Sequence, residues 1–193
     1  MPDLIAPTIR LRSAWLDAHA EWGPGRHEDG FGLAPTDEVD SPTGFAAWIA
    51  RLADESEQIT RRWIVEDDQV LGGIALRHEF NDHVQWAGHI GFGIRPSARR
   101  RGLAAWALDR MLDEARVLGM DQVLAVCASN NIGSARTIER FGGISRRPGI
   151  PNTALYVATG LRFSSRTRDF TVRSSRWLGT SLGRVGWASP AGR

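Results

Sequence analysis

His89-Ile90-Gly91-Phe92-Gly93-Ile94-Arg95-Pro96-Ser97-Ala98-Arg99-Arg100-Arg101-Gly102-Leu103-Ala104 decides how the rest of the chain is read. Its apolar first part reads as a strand, and the segment from Leu103 to Leu118 as a helix, with a basic glycine-containing turn between them. Such a turn is an anion site. Unpaired N–H groups of a first helical turn, the positive end of the helix dipole and guanidinium groups all converge on it. A phosphorylated ligand is expected.

Downstream, Gly119 suits a helix C-cap, and Gln122-Val123-Leu124-Ala125-Val126-Cys127 reads as a buried strand. A strand-helix-strand crossover this short implies a parallel pair. Asn130-Asn131 breaks the run, Ile132 to Phe141 reads as a helix, and Gly142-Gly143 ends it. Upstream, the apolar runs 62–66 and 69–76 flank Asp67-Asp68 as a hairpin, and a polar connection from Glu79 to Gln85 leads to a strand from Trp86 to Ile94. Leu4-Ile5 suits a short first strand. Leu11, Ala14, Trp15, Ala18 and Trp22 have helical spacing. Gly23 to Thr43 reads as a loop, and Ser41-Pro42 starts a second helix, to about Glu55, that buries Phe45, Trp48, Ile49 and Leu52.

The 193 residues suit one domain with a sizeable core, and 42% hydrophobic with 24% charged residues exclude a disordered chain. No apolar run is long enough to cross a bilayer, and Met1-Pro2-Asp3-Leu4 lacks the pattern of a secretory signal, so a cytoplasmic protein is expected. Cys127 is the single cysteine, which excludes an internal disulfide. All 24 basic residues are arginine, so a lysine P-loop and a Schiff base are excluded. Residues 161–193 hold seven arginines against Asp169, a net +6; with +2 overall, the first 160 residues sum to −4. No Gly-x-Gly-x-x-Gly follows an early strand, and no His/Cys/Asp/Glu spacing suggests a metal.

Arg99-x-x-Gly102-x-Ala104, after Arg95-Pro96, resembles the acyl-CoA pyrophosphate loop of the GNAT superfamily of N-acetyltransferases. The likeness is carried by the succession: a Gly-Phe-Gly-Ile strand, the loop, a helix, a strand, then Asn131-Ile132-Gly133-Ser134-Ala135-Arg136 leading through Ile138-Glu139-Arg140 to Gly142-Gly143. It is good over residues 61–146, thin over the first two helices and absent from the tail. Leu76-Arg77-His78, Gly88-His89-Ile90-Gly91 and Arg95-Pro96-Ser97 are similar to a bacterial subgroup with no assigned substrate. The resemblance implies an α/β fold: a mixed, mostly antiparallel sheet, splayed at a central parallel strand pair and flanked by about four helices. The acetyltransferase domain would occupy residues 1–160. Residues 161–193 would be a basic Arg/Ser-rich tail with one further strand at Asp169–Val172 at most.

The implied activity is transfer of an acetyl group from acetyl-CoA, as co-substrate, to a primary amine on a small molecule, an amino sugar or a peptide, by direct attack in a ternary complex. Backbone N–H groups from Arg99 to Ala104, Leu103 included, would hold the pyrophosphate, with Arg99, Arg100 and Arg101 adding charge. Phe92, Gly93 and Ile94 would pair with the pantetheine amides, and the Ile94 N–H would polarise the thioester carbonyl. Asn131 matches the family's asparagine, and Ser134 the small polar residue facing the thiol. His89 is the first candidate for the base, then His78 and Glu79; a histidine suits by its ordinary pKa near 6.5, although a strand histidine often serves only the core. Where many members carry a tyrosine as general acid this chain has Ile138, which leaves Ser134 or water to protonate the thiolate. An acyl-Cys127 intermediate is a minor alternative, since a lone strand cysteine behaves as a small hydrophobe. Two other readings stay open: an acyl-CoA-binding module without catalysis, and nucleic-acid binding through the tail, which lacks a recognisable motif. No metal or membrane partner is expected, and a homodimer is left open.

Overall fold

Asp67 and Asp68, with φ of 50° and 59°, reverse the chain in the left-handed geometry that a two-residue hairpin turn requires. They join β2 (Ile59–Glu66) to β3 (Gln69–Arg77), the hairpin expected from the two apolar runs. The computed structural model describes residues 1–23, 30–146 and 153–159. Before the hairpin come β1 (Asp3–Ile5), α1 (Arg12–Trp22) and α2 (Pro42–Asp54); after it come α3 (Asp82–Ala87), β4 (Ile90–Ile94), α4 (Leu103–Val117), β5 (Gln122–Ala128), α5 (Ile132–Arg140), β6 (Ile144–Arg146) and β7 (Thr153–Thr159). Helix α2 starts as its sequence dictates, with Ser41 accepting from the Gly44 N–H and Pro42 in the first turn.

The seven strands form one sheet in the order β1-β2-β3-β4-β5-β7-β6. Only β4 and β5 run parallel; the other neighbours are antiparallel. Alternating side chains then build two cores. Ile64, Ile74, Leu76, Ile90 and Ile94 pack against Leu103, Ala107 and Met111 of α4 and Ile138 of α5. On the opposite face Trp63, Val65 and Val70 meet Trp15 of α1, Phe31, and Phe45 and Trp48 of α2. Trp15, Trp48 and Trp63 are each at most 1% exposed. Truncating any of them to alanine should cost about 3–5 kcal/mol. The loop after α1 presses onto β3 so closely that a Cβ on Gly30 would lie 2.2 Å from the Gly73 carbonyl oxygen.

Four elements differ from the sequence reading. The strand expected from Trp86 begins at Ile90, because the Asn81 side chain accepts from the Val84 N–H and caps α3 over residues where a strand was expected. This helix brings the count among the described residues to five. β6 and β7 were not foreseen: Ala154-Leu155-Tyr156-Val157 is a short apolar run whose pairing with all of β5 makes it a strand. The expected strand at Asp169–Val172, the boundary at residue 160 and the basic tail lie outside the described residues.

Candidate active site

The centre of the molecule is a split between the two parallel strands. β4 and β5 share one register pair, Ile90 with Ala125, supplemented by a bridge from Gly88 to Ala125 and by the His89 N–H donating to the Leu124 carbonyl at 2.7 Å. Beyond Ile90, no register pair joins β4 to β5. The phase of the β4 hydrogen bonds follows from its other neighbour. The Arg95 N–H donates to the Leu71 carbonyl, and in the antiparallel register Gly93 faces Gly73 and Gly91 faces Ala75, so residues 91, 93 and 95 turn their backbone groups toward β3; His89 is split, its carbonyl accepting from the Arg77 N–H and its N–H going to β5. Phe92 and Ile94 therefore turn their N–H and C=O groups toward the gap. These are the groups expected to meet a pantetheine chain.

A cleft of about 670 Å³ occupies this gap. Phe92, Gly93, Ile94, Arg99, Arg100, Gly102, Leu103, Ala104, Asn131 and Ser134 all line it, so ten of the eleven residues expected to bind the donor converge. Arg101 does not line it; its side chain leaves the cleft to pair with Glu66. Arg100 and Gly102 lie at φ of 63° and 81°, which folds the loop into a backbone nest. Gly102 is the N-cap of α4, and among the described residues no side chain caps that helix. The N–H groups of Leu103, Ala104 and Ala105 therefore face the cleft without a capping partner, backed by the α4 dipole.

Seven lining residues escaped the sequence reading of the site: the small Ala98, Ala105 and Gly133, and four with larger side chains. Arg136 and Arg140, one turn apart on α5, join Arg99 and Arg100, and among the described residues no acidic one lines the cleft. Their spacing of four was readable as one helix face, but only the packing of α5 beside α4 aims it at the same space. Trp22, at the end of α1, closes another wall, with the Arg99 guanidinium 5.3 Å above its ring. Thr137 also lines the cleft, and its hydroxyl donates to the Gly133 carbonyl at 2.8 Å. The Ser134 N–H donates to the Asn131 side chain at 3.1 Å, and the Ser134 hydroxyl has no hydrogen bond among the described residues.

The expected base candidates lie away from this cleft's lining. His89 is 5% exposed, and its Nδ1 accepts from the Leu124 N–H at 3.0 Å. That bond needs a neutral ring with its proton on Nε2, and burial, with the Arg77 cation nearby, pushes the His89 pKa below its ordinary value. His89 thus pins the closed end of the split. In His78, Nε2 accepts from the Thr60 N–H at 3.1 Å, which leaves Nδ1 to donate to the Glu57 carbonyl at 2.8 Å. Both lone pairs that a base would use are occupied. Glu79 is exposed and makes no hydrogen bond or ion pair among the described residues. Burial and the Glu139 carboxylate push the Cys127 thiol up, which disfavours a thiolate nucleophile. Tyr156, the single tyrosine, is 5% exposed and does not line the cleft, and Ile138 lies in the core.

A sheet splayed at one parallel pair, with an arginine-lined cleft between two helix N-termini, is suited to an extended phosphorylated ligand. Residues 12–144 match the acetyltransferase (GNAT) domain, and the chain belongs to that family of acetyltransferases. No curated protein matches it significantly by sequence. Among solved structures it is similar to the microcin C7 self-immunity acetyltransferase MccE in complex with acetyl-CoA and AMP, at 16% identity and a TM-score of 0.60 over 82% of this chain and 92% of that one. RimJ of Mycobacterium smegmatis, in complex with CoA-disulfide, superposes with a TM-score of 0.64 at 15% identity, covering 82% of this chain and 81% of that chain. RimL, a ribosomal-protein alpha-N-acetyltransferase in complex with coenzyme A, gives 0.63 at 13% identity, with 82% and 93% covered. At these identities the likeness concerns the fold. Among the described residues no helix is long and apolar enough to cross a membrane, and no three His, Cys, Asp or Glu residues are grouped to hold a metal.

Proposed function

We propose that the chain transfers the acetyl group of acetyl-CoA directly to a primary amine, with both substrates bound at the β4–β5 split. The observation that carries this is the edge of β4 left without a β5 partner, the Phe92 backbone groups and the Ile94 N–H, which leads into the uncapped α4 N-terminus; the Ile94 carbonyl is held by Arg99 Nε. Pantetheine adds to that edge as a strand would, and the pyrophosphate sits on the N–H groups from Arg99 to Ala104. Arg100, Arg136 and Arg140, which have no ion-pair partner among the described residues, neutralise the phosphates; Arg99 stacks on Trp22 and contributes its remaining N–H groups. Arg101 contributes through its backbone, since its guanidinium is held by Glu66.

In the reaction, the amine lone pair attacks the thioester carbon; a donor whose phosphates rest on the loop carries its thioester toward the far end of this edge, so the Phe92 N–H, in place of the expected Ile94 N–H, stabilises the developing oxyanion. Collapse of the tetrahedral intermediate breaks the C–S bond, and the CoA thiolate takes a proton from water, relayed through the Ser134 hydroxyl, which gives one proton and regains another from water and, unlike that of Thr137, is not already donating within the fold. The amine's proton leaves through water. Of the three expected base candidates only Glu79 has free lone pairs to relay it. An α-amine of a protein is one candidate acceptor, because structural neighbours include a ribosomal-protein alpha-N-acetyltransferase. Thiol release from acetyl-CoA measured against peptide amines, amino sugars and small amines tests the reading. Acceptor-dependent release is expected; tight CoA binding with no release over any acceptor would replace the enzyme by a binding module.

A further inference from the structure

The last turn of α1 makes a contact with the phosphate loop that no local rule requires. Glu21 lies 74 residues before Arg95, yet one of its carboxylate oxygens accepts from Arg95 Nε at 2.7 Å and from the Ser97 hydroxyl at 2.9 Å, and meets Arg95 Nη2 at 2.6 Å. The other oxygen accepts from the Ser97 N–H. Both carboxylate oxygens are thus used on the short turn Pro96–Ala98 that delivers the chain from β4 into Arg99 and Arg100. Arg95 is anchored at its far side as well, its Nη1 donating to the Val70 carbonyl at 3.3 Å. The next residue of α1, Trp22, is 8% exposed and receives the Arg99 guanidinium on its ring, while Arg99 Nε donates to the Ile94 carbonyl at 3.0 Å. Consecutive residues of one helix therefore hold the first and second halves of the loop's entry.

Resting on the donor reading above, we propose that Glu21 is a positioning residue for acyl-CoA. Through Arg95 and Ser97 it holds the backbone from Pro96 to Arg100 in the shape that receives the phosphates, with Trp22 setting the direction of Arg99. A nest of N–H groups binds an anion well only if its shape exists before the anion arrives, because ordering a loose loop on binding costs affinity. The contact stands at the phosphate end of the cleft and not at the thiol end, so its effect belongs to the nucleotide half of the donor.

The test measures dissociation constants by calorimetry and NMR titration for CoA, for its 3′-phospho-ADP half and for its pantetheine half, in wild type, Glu21→Gln and Glu21→Ala. Glu21→Ala is expected to weaken CoA and the 3′-phospho-ADP half alike by about tenfold, the scale of one charge-assisted hydrogen-bond set. Glutamine, which keeps one acceptor oxygen, should lie between, and pantetheine should bind all three proteins equally. Equal CoA affinity in all three proteins overturns the role of Glu21, and so does a loss that extends to pantetheine, which would mark general damage. A melting curve accompanies each variant; if alanine unfolds the protein, the glutamine variant decides. Wild type that fails to bind CoA at all would instead overturn the donor reading, and this proposal with it.

Discussion

The two walls of the β4–β5 split are built in different ways. One is local: the strand edge at Phe92–Ile94, the loop to Gly102 and the first turn of α4 are consecutive in the chain, and they turn backbone groups to the cleft. The other is assembled from distant pieces, with Trp22 from α1 and Arg136 and Arg140 from α5 brought in by packing. A backbone wall tolerates side-chain change and is sensitive to conformation. An assembled wall depends on individual side chains and on the contacts that aim them.

The largest effect expected from breaking the first wall is Gly102→Glu. A Cβ there meets no atom within 4 Å, so the side chain has room, but its carboxylate would face the bound phosphates from the left-handed N-cap. Two like charges about 4 Å apart at an effective dielectric near 20 repel by roughly 4 kcal/mol, about a thousandfold in CoA affinity. Calorimetry reads this directly; affinity within tenfold of wild type would remove the loop from the site. Gly102→Ala separates the strain of the conformation, about 1–2 kcal/mol, from the charge.

The second wall should yield next. Arg136→Ala and Arg140→Ala are each expected to weaken CoA about tenfold, at roughly 1.5 kcal/mol per charged contact, and to do so less as salt rises. Arg101→Ala should change CoA affinity by less than about twofold, because its side chain leaves the cleft for an exposed pair with Glu66, a class worth at most about 1 kcal/mol. Arg101 weakening CoA as much as Arg136 would erase the distinction between the walls.

The pin at the closed end is tested by stability. His89→Ala leaves the buried Leu124 N–H without its acceptor, a cost of about 1–3 kcal/mol, and should lower the melting temperature by several degrees. His89 is buried neutral with its pKa held below 6.5, so the unfolded chain binds more protons between that depressed value and 6.5. Wild type should therefore lose stability as pH falls below about 6.5, and the alanine variant should show a shallower loss. The acidic limb of the rate profile should be shared by both proteins; its disappearance in His89→Ala would return His89 to the role of base. Glu79→Gln, the smallest change expected, should shift the profile only slightly if water carries most of the proton flux.

What was legible follows the same division. The hairpin at Asp67-Asp68, the parallel pair implied by a short crossover, and the glycine-containing turn from Arg99 into α4 depend on residues within one turn or one connection, where spacing states the geometry. The start of β4 was misplaced because Asn81 and Asp82 favour a capped helix, which takes over part of the stretch read as strand. The three-arginine run could not show that one member would be drawn off by Glu66, 35 residues away. His78 and His89 carry the right chemistry for a base, and only their hydrogen bonds to Thr60 and Leu124 reveal that the lone pairs are occupied.

By itself the sequence determined the nest at the α4 N-terminus, the glycine that permits it and the absence of lysine from the site, because these are properties of neighbouring residues and of composition. The tertiary structure alone decided which arginines face the cleft, that Trp22 and Glu21 brace its entry, and that the strand histidine is a pin. Those outcomes depend on side chains far apart in the chain meeting at one place, and spacing along the sequence carries no record of such a meeting.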